Sequence, residues 1–268
     1  MHRSTQVHID IETREGGDVA FITLDNQRRM NSLGGAMMKG LVAAFESLKS
    51  DKNLRCVVLT GAGDRAFVAG ADIHELADIA YPAEARAFIG KVHECCEAVR
   101  AFPVPVIARL NGVTLGGGLE LAISCDLRVA SETATFGMPE VRIGVPSVVE
   151  AALLPGLIGW GRTREMLLLG ETYDAAEALA MGLVNAVVPA HGLDAAVEKR
   201  IAAVFAGRPD AIKLQKSLMR RWENLSTKEA ILVGAEAFAD AYLTDEPWQA
   251  LDAWRSKRAR QKVRTQSA

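Results

Sequence analysis

"PVPVIARLNGVTLGGGLELAISCDLRVAS", residues 103–131, decides how this chain is read. Two prolines lead into the β-branched run "VIARL", which Asn111-Gly112 closes, so the segment reads as a buried strand. Three glycines follow, and "GLELAISCDLRVAS" then reads as a helix running into another extended piece. Strand, glycine loop, helix and strand in quick succession are characteristic of an α/β fold. One residue is out of place. Glu120 puts a carboxylate directly behind the glycines in an otherwise apolar stretch, and carboxylates are seldom buried without a partner because desolvating the charge is costly. The glycines at 116–118 strip the backbone of side chains, which lets its N–H groups approach a ligand closely. If a helix starts there, those N–H groups are also the unsatisfied donors of its first turn.

Working outward, "VHIDIETREGGDVAFITLD" alternates with period two around Gly16-Gly17 and reads as strand, turn and strand. "LGGAMMKGLVAAFESLKSD" carries apolar residues at helical spacing, "LRCVVLTGAG" is a buried strand, and "PAEARAFIGKVHECCEAVRAF" is a helix with Pro82 near its first turn. Downstream of Glu140 helices dominate: "SVVEAALLPGLIG", "RTREMLLLG" and "DAAEALAMG", with a short strand in "LVNAVVP". From "GLDAAVEKRIAAVFA" to the end the reading is helical, and "KEAILVGAEAFADAYL" is markedly amphipathic. The expected organisation is an α/β core over 1–195 and a helical region over 196–268.

Composition narrows the function classes. The 268 residues are 49 % hydrophobic and 24 % charged with a net charge of -2, an ordinary globular balance that points to neither nucleic acid nor an anionic membrane as partner. The basic end "WRSKRARQKVRTQSA" reads as a solvated tail. No apolar run reaches the roughly 18 residues that span a bilayer. Four cysteines (Cys56, Cys95, Cys96, Cys125) form no CxxC and no disulfide framework, and the start lacks an apolar signal core, so the expectation is a cytoplasmic, reducing compartment. "GAGDRA" at 61–66 fits GxGxxA after a strand, but the required helix does not follow; "FVAGADIHELADIA" does, which removes the dinucleotide reading. No phosphate-loop motif occurs. His2, His8, His74, His93 and His191 have no GxSxG partner and no metal-ligand spacing, and read as surface or packed residues. No metal is expected.

Two carboxylates remain. Glu120 follows the glycines, and Glu140 sits in the mostly apolar "FGMPEVRIGVP". In a confined site their titrations would be coupled, one held protonated while its neighbour stays ionised, and such a pair can activate a water and deliver a proton. The competing reading has each cap a helix or pair with an arginine, Arg109 or Arg142.

Together with "NQRRMNSLGGAMMKGL", "VVLTGAGDRAFVAGADIHEL", "LLLGETYDAAEALAMGLVNAVVP" and "AWRSKR", these segments resemble, in order and over nearly the whole chain, the enoyl-CoA hydratase/isomerase (crotonase) superfamily. The resemblance implies a fold, a crotonase-like spiral of ββα turns with a helical C-terminal trimerisation region. It implies Glu120 and Glu140 as the catalytic pair and the backbone N–H groups of Ala71 and Gly117 as an oxyanion hole. It places a coenzyme A thioester along Arg28, Arg29, Met30, Ala69, Asp72, Ile73 and Gly116, with the arginines toward its phosphates. Coenzyme A is then part of the substrate and no separate cofactor is implied; the expected assembly is a homotrimer or homohexamer. Hydration of a 2-enoyl-CoA is the leading activity. A double-bond isomerase or another enolate-forming acyl-CoA lyase is the alternative, and a non-catalytic coenzyme A-binding or assembly protein comes third.

The sequence departs from the family pattern after Glu140. A "PGAGGT"-like stretch is replaced by "GVPSVVEAALLP", which brings Val148, Val149 and an additional acid, Glu150. Glu150 is expected to be solvated or to cap the following helix, with a role as a further acid or base as the other reading. Near the end, Trp254 stands where relatives carry phenylalanine, and their usual Glu-Gly is missing.

Overall fold

The computed structural model describes residues 6–266, with side chains to residue 258; His2 and the end of the basic tail lie outside the described residues. Strands β1 (Gln6–Arg14) and β2 (Gly17–Asp25) pair antiparallel with Arg14 opposite Gly17. Gly16 and Gly17 turn the chain at φ 91° and 136°, angles that side-chain-bearing residues rarely adopt. Helix α1 (Gly35–Leu48) follows, as its spacing predicts, and buries Met37, Met38, Leu41, Phe45 and Leu48.

From here the chain repeats one unit, two strands and then helix. The first repeat is β3 (Leu54–Gly61), β4 (Ala66–Val68), α2 (Ile73–Ala77) and α3 (Pro82–Arg100). The second is β5 (Val106–Leu110), β6 (Val113–Leu115) and α4 (Gly117–Ser124). The third is β7 (Leu127–Ser131), β8 (Thr135–Gly137), two 3-10 turns and α5 (Leu154–Leu169). Strand β9 (Thr172–Asp174), α6 (Ala175–Met181) and β10 (Ala186–Val188) complete the sheets.

The longer first strand of each repeat joins a six-stranded sheet ordered β1-β2-β3-β5-β7-β10; the short second strand joins a four-stranded sheet ordered β4-β6-β8-β9. Each turn of the chain therefore advances both sheets by one strand, which is the expected spiral of ββα turns. The β2–β3–β5–β7–β10 pairings are all parallel, and β3 is buried along its length except at Thr60. That matches the near-continuous apolar run of a parallel strand covered on both faces. Helix α3 buries Phe88, Val92, Cys95, Cys96 and Val99, a helical stripe. Phe45 meets Phe102 edge to face at 5.1 Å in the core.

The chain divides into two compact units, Met1–Ala203 and Val204–Ala268. Helix α7 (Leu193–Ala206) crosses that division. The second unit continues with α8 (Pro209–Trp222), α9 (Thr227–Ala241) and α10 (Glu246–Gln266). Glu246 caps α8 by accepting from the N–H groups of Asp210 and Ala211, each at 3.0 Å. Ser226 and Glu229 form a reciprocal cap on α9. Helix α9 buries none of its residues, leaving Ile231, Leu232 and Phe238 exposed. Among the described residues no helix is long and apolar enough to cross a membrane.

Candidate active site

Two of the three glycines have a steric reason to be bare. Gly116 precedes α4 at φ 51° and ψ -126°, and its N–H donates to the Gly137 carbonyl at 2.9 Å. A Cβ on Gly116 would collide with Oε1 of Glu140. A Cβ on Gly118 would collide with the Val68 carbonyl, so α4 lies directly against β4. A Cβ on Gly117 would meet Leu33 and Val92 at 3.5 Å, ordinary contact distances, and would stand 3.9 Å from the backbone nitrogen of Ala71. The glycine loop and the "AGAD" loop are thus neighbours.

Ala71 is held there by a parallel bridge to Leu33: Leu33 N–H donates to Gly70 O at 2.8 Å and Asp72 N–H donates to Leu33 O at 3.0 Å. Successive N–H groups of an extended chain point to opposite sides, so the Ala71 N–H is turned away from Leu33. Gly117 is the first residue of α4, where N–H groups have no intrahelical partner. Neither N–H has a hydrogen-bond acceptor among the described residues. Two backbone donors without an acceptor among the described residues thus lie on adjoining loops, a geometry able to receive an oxygen that gains negative charge.

The two glutamates stand in different surroundings. Glu120 is 3 % exposed, and Oε1 accepts only the Ala151 N–H, at 3.2 Å. Burial pushes its pKa up to about 8; the Ala151 bond offsets part of this, and the nearby Glu140 and Glu150 charges add to it. Glu140 is half-buried in the 3-10 turn Pro139–Ile143, and its Oε2 accepts the Ser147 hydroxyl at 2.7 Å. Neither carboxylate pairs with the arginines of the competing reading. Arg109 pairs with Asp194 at 2.7 Å, and Arg142 reaches toward the Leu169 carbonyl. A buried carboxyl and a half-buried one thus flank the same glycine loop.

The "RRM" and "AGADI" segments are also brought together. Ala69 N–H donates to the Met30 carbonyl at 3.0 Å, with Met30 and Asn31 in left-handed conformation. Arg29 pairs with Asp72 at 2.6 Å, while Asp72 is 3 % exposed and caps α2 through the His74 N–H. Asp72 is therefore an internal clip between the segments. Arg28 and Ile73 face solvent.

Glu150 departs from expectation. It is 3 % exposed, not solvated, and its Oε1 lies 2.8 Å from Nδ1 of His93. It sits in the 3-10 turn Val149–Leu153, entered through Val149 at φ 39°, an uncommon angle for a β-branched residue. His93 is a surface histidine as expected, but its partner is buried. The sequence reading names Glu150 as a further acid or base in one of its two readings, and does not single out Ser147, the Ala151 N–H or His93 as site groups. All except His93 lie in the atypical "SVVEAALLP" stretch, whose departure from pattern was the available signal.

Comparison with known proteins places the chain in a family. The family model for enoyl-CoA hydratase/isomerase matches residues 14–261. The chain is 33 % identical over 243 residues to a short-chain-enoyl-CoA hydratase of Clostridium acetobutylicum, covering 90 % of this chain and 93 % of the relative. It is 32 % identical to a crotonyl-CoA hydratase of Syntrophomonas wolfei over 90 % of this chain and 92 % of that one. The crystal structure of an enoyl-CoA hydratase from Bacillus anthracis superposes with a TM-score of 0.88 at 32 % identity, covering 94 % of this chain and 96 % of that chain. The family match covers nearly the whole chain and the spiral superposes on a solved enoyl-CoA hydratase, so the chain belongs to the enoyl-CoA hydratase/isomerase family of the crotonase superfamily.

Proposed function

We propose that the chain hydrates a 2-enoyl-CoA thioester, with Glu120 as proton donor, Glu140 as base, and the Ala71 and Gly117 N–H groups as the oxyanion hole. The observation that carries this reading is the Glu140 carboxylate lying in the space left by the missing side chain of Gly116, beside the two free donors. The thioester oxygen sits between those donors. Glu140 takes a proton from a water as its oxygen bonds the β carbon, the π electrons move onto the thioester oxygen, and the enolate then takes the Glu120 proton at the α carbon. Each oxyanion donor contributes about 3 kcal/mol to such a step.

Coenzyme A is part of the substrate in this reading, and no separate cofactor takes part. It runs along Arg28, Arg29, Met30, Ala69, Ile73 and Gly116. Exposed Arg28 faces its phosphates in this reading, and Asp72 holds Arg29 in place. The protein works in the cytoplasm as a homotrimer or homohexamer, a reading supported by the uncovered apolar residues of α9.

The purified protein should consume crotonyl-CoA with loss of the conjugated enoyl absorbance and release 3-hydroxybutyryl-CoA. Conversion of 3-enoyl-CoA esters with no action on crotonyl-CoA would assign the isomerase reaction instead, and coenzyme A binding without turnover a non-catalytic role.

A further inference from the structure

Among the described residues the Glu120 carboxyl accepts one hydrogen bond, and the donor is shared. The Ala151 nitrogen lies 3.2 Å from Glu120 Oε1 and 2.9 Å from the Val148 carbonyl oxygen, so one hydrogen serves two acceptors. A small rotation of the peptide group that joins Glu150 to Ala151 turns that hydrogen from one acceptor to the other. The local sequence works against the turn that sets this rotation. Val149 enters the 3-10 turn Val149–Leu153 at φ 39°, which a β-branched residue seldom adopts, and every side chain of the turn except Glu150 is apolar.

Glu150 ties the turn to a well-packed element. Its carboxyl is buried, and Oε1 meets Nδ1 of His93 on α3 at 2.8 Å and stands 3.9 Å from Nη1 of Arg100. The other oxygen, Oε2, is buried with no hydrogen-bond partner among the described residues, so the tie depends on Oε1. His93 and Arg100 are seven residues apart, two turns along one face of α3. Helix α3 is seated in the core through Phe88, Val92, Cys95, Cys96 and Val99. An apolar residue of similar size would fill the place of Glu150 without burying a half-satisfied carboxyl, so the pair calls for an explanation in function.

We propose that the His93–Glu150 pair is a brace from α3 that aims the Ala151 N–H at Glu120 and so fixes the orientation of the Glu120 carboxyl in the active site. The proposal rests on Glu120 belonging to the reacting pair, and it holds whether Glu120 serves as acid or as base. No proton passes along the brace. His93 and Glu150 are positioning residues that act through Glu120.

The test uses the full chain with His93→Ala, His93→Asn, Glu150→Leu and Glu120→Ala, and crotonyl-CoA as substrate. Asparagine places an amide nitrogen close to where Nδ1 of histidine stands, so it restores the bond to Glu150. The His93 side chain is 51 % exposed, and its replacement should leave the unfolding midpoint near that of the wild type. His93→Ala is expected to lower kcat about tenfold or more through a displaced carboxyl, with KM changed less than about twofold. His93→Asn recovers most of that loss. Glu150→Leu matches His93→Ala, and the two together lose no more than either alone. In a Glu120→Ala background, with no carboxyl to aim, His93→Ala lowers the residual rate no further. Backbone hydrogen exchange over 148–154 rises in His93→Ala and returns toward wild type in His93→Asn. Wild-type kcat in His93→Ala, an equal loss in His93→Asn, or the same proportional loss in the Glu120→Ala background overturns the brace. Wild-type hydration by Glu120→Ala, or no action of the wild type on crotonyl-CoA, instead overturns the reading of the site beneath it. The exchange measurement needs no turnover, so it still decides in that event whether the pair holds the turn.

Discussion

The carboxylate of Glu140 occupies the position that a side chain on Gly116 would need. Gly116 is bare for the benefit of a residue in another repeat, on the 3-10 turn after β8. Its φ of 51° with ψ of -126° adds a second reason, since few residues other than glycine adopt that conformation.

Gly116→Ala is therefore expected to damage the site more than the fold. Displacing Glu140 by about 1 Å should lower kcat/KM roughly a hundredfold, with a stability loss of about 1–3 kcal/mol from the backbone strain. Steady-state kinetics beside thermal unfolding of the same preparation separates the two.

Gly118→Ala should behave in the opposite way, because its added methyl would strike the Val68 carbonyl, which cannot rotate aside. A loss of about 3 kcal/mol or more is expected, seen as a lowered unfolding midpoint or insoluble expression. Gly156→Ala in α5 meets nothing within 4 Å and should leave stability unchanged or raise it, by up to about 1 kcal/mol.

Ser147→Ala removes the hydroxyl that Glu140 Oε2 accepts at 2.7 Å. A hydrogen bond to a charged group is worth about 1.5–3 kcal/mol, so kcat should fall roughly ten- to a hundredfold with the unfolding midpoint little changed. Ser147→Thr, which keeps the donor, should retain more turnover than alanine.

Glu120 sets a pH dependence of stability whose sign follows from its raised pKa. Burial pushes folded Glu120 up to about 8 from the 4.5 of a free glutamate side chain, so between these values the folded state holds a proton the unfolded state has released. Its contribution is fully favourable below the lower value and is lost as pH rises through the higher one. Glu120→Gln cannot ionise, so it should be stabilised relative to wild type at pH about 9 and show little difference at pH about 4. Thermal unfolding of both proteins across that range measures the difference.

What the sequence disclosed depends on element length. The hairpin, α1, β3 and α3 are long enough for their apolar spacing to show, and Pro82 marks the first residue of α3. The three-residue strands β4, β6, β8 and β9 are too short to show a period and exist through long-range pairing in the second sheet. Glu120 and Glu140 were legible as charges in apolar context. Glu150 stands in a similar context, yet the sequence reads it as solvated or as a cap on the following helix, with a further acid or base as the other reading; its partner His93 lies 57 residues away on another helix. The pair between Asp72 and Arg29, 43 residues apart, likewise leaves no local sign. Contacts that close only in three dimensions leave no mark in a local pattern.

The central claim is that Glu120 and Glu140 do the chemistry, and hydration of crotonyl-CoA by Glu120→Gln and Glu140→Gln tests it most directly. Both variants should fold with wild-type circular dichroism and lose at least about a hundredfold in kcat. Near-wild-type turnover in either one would contradict the account.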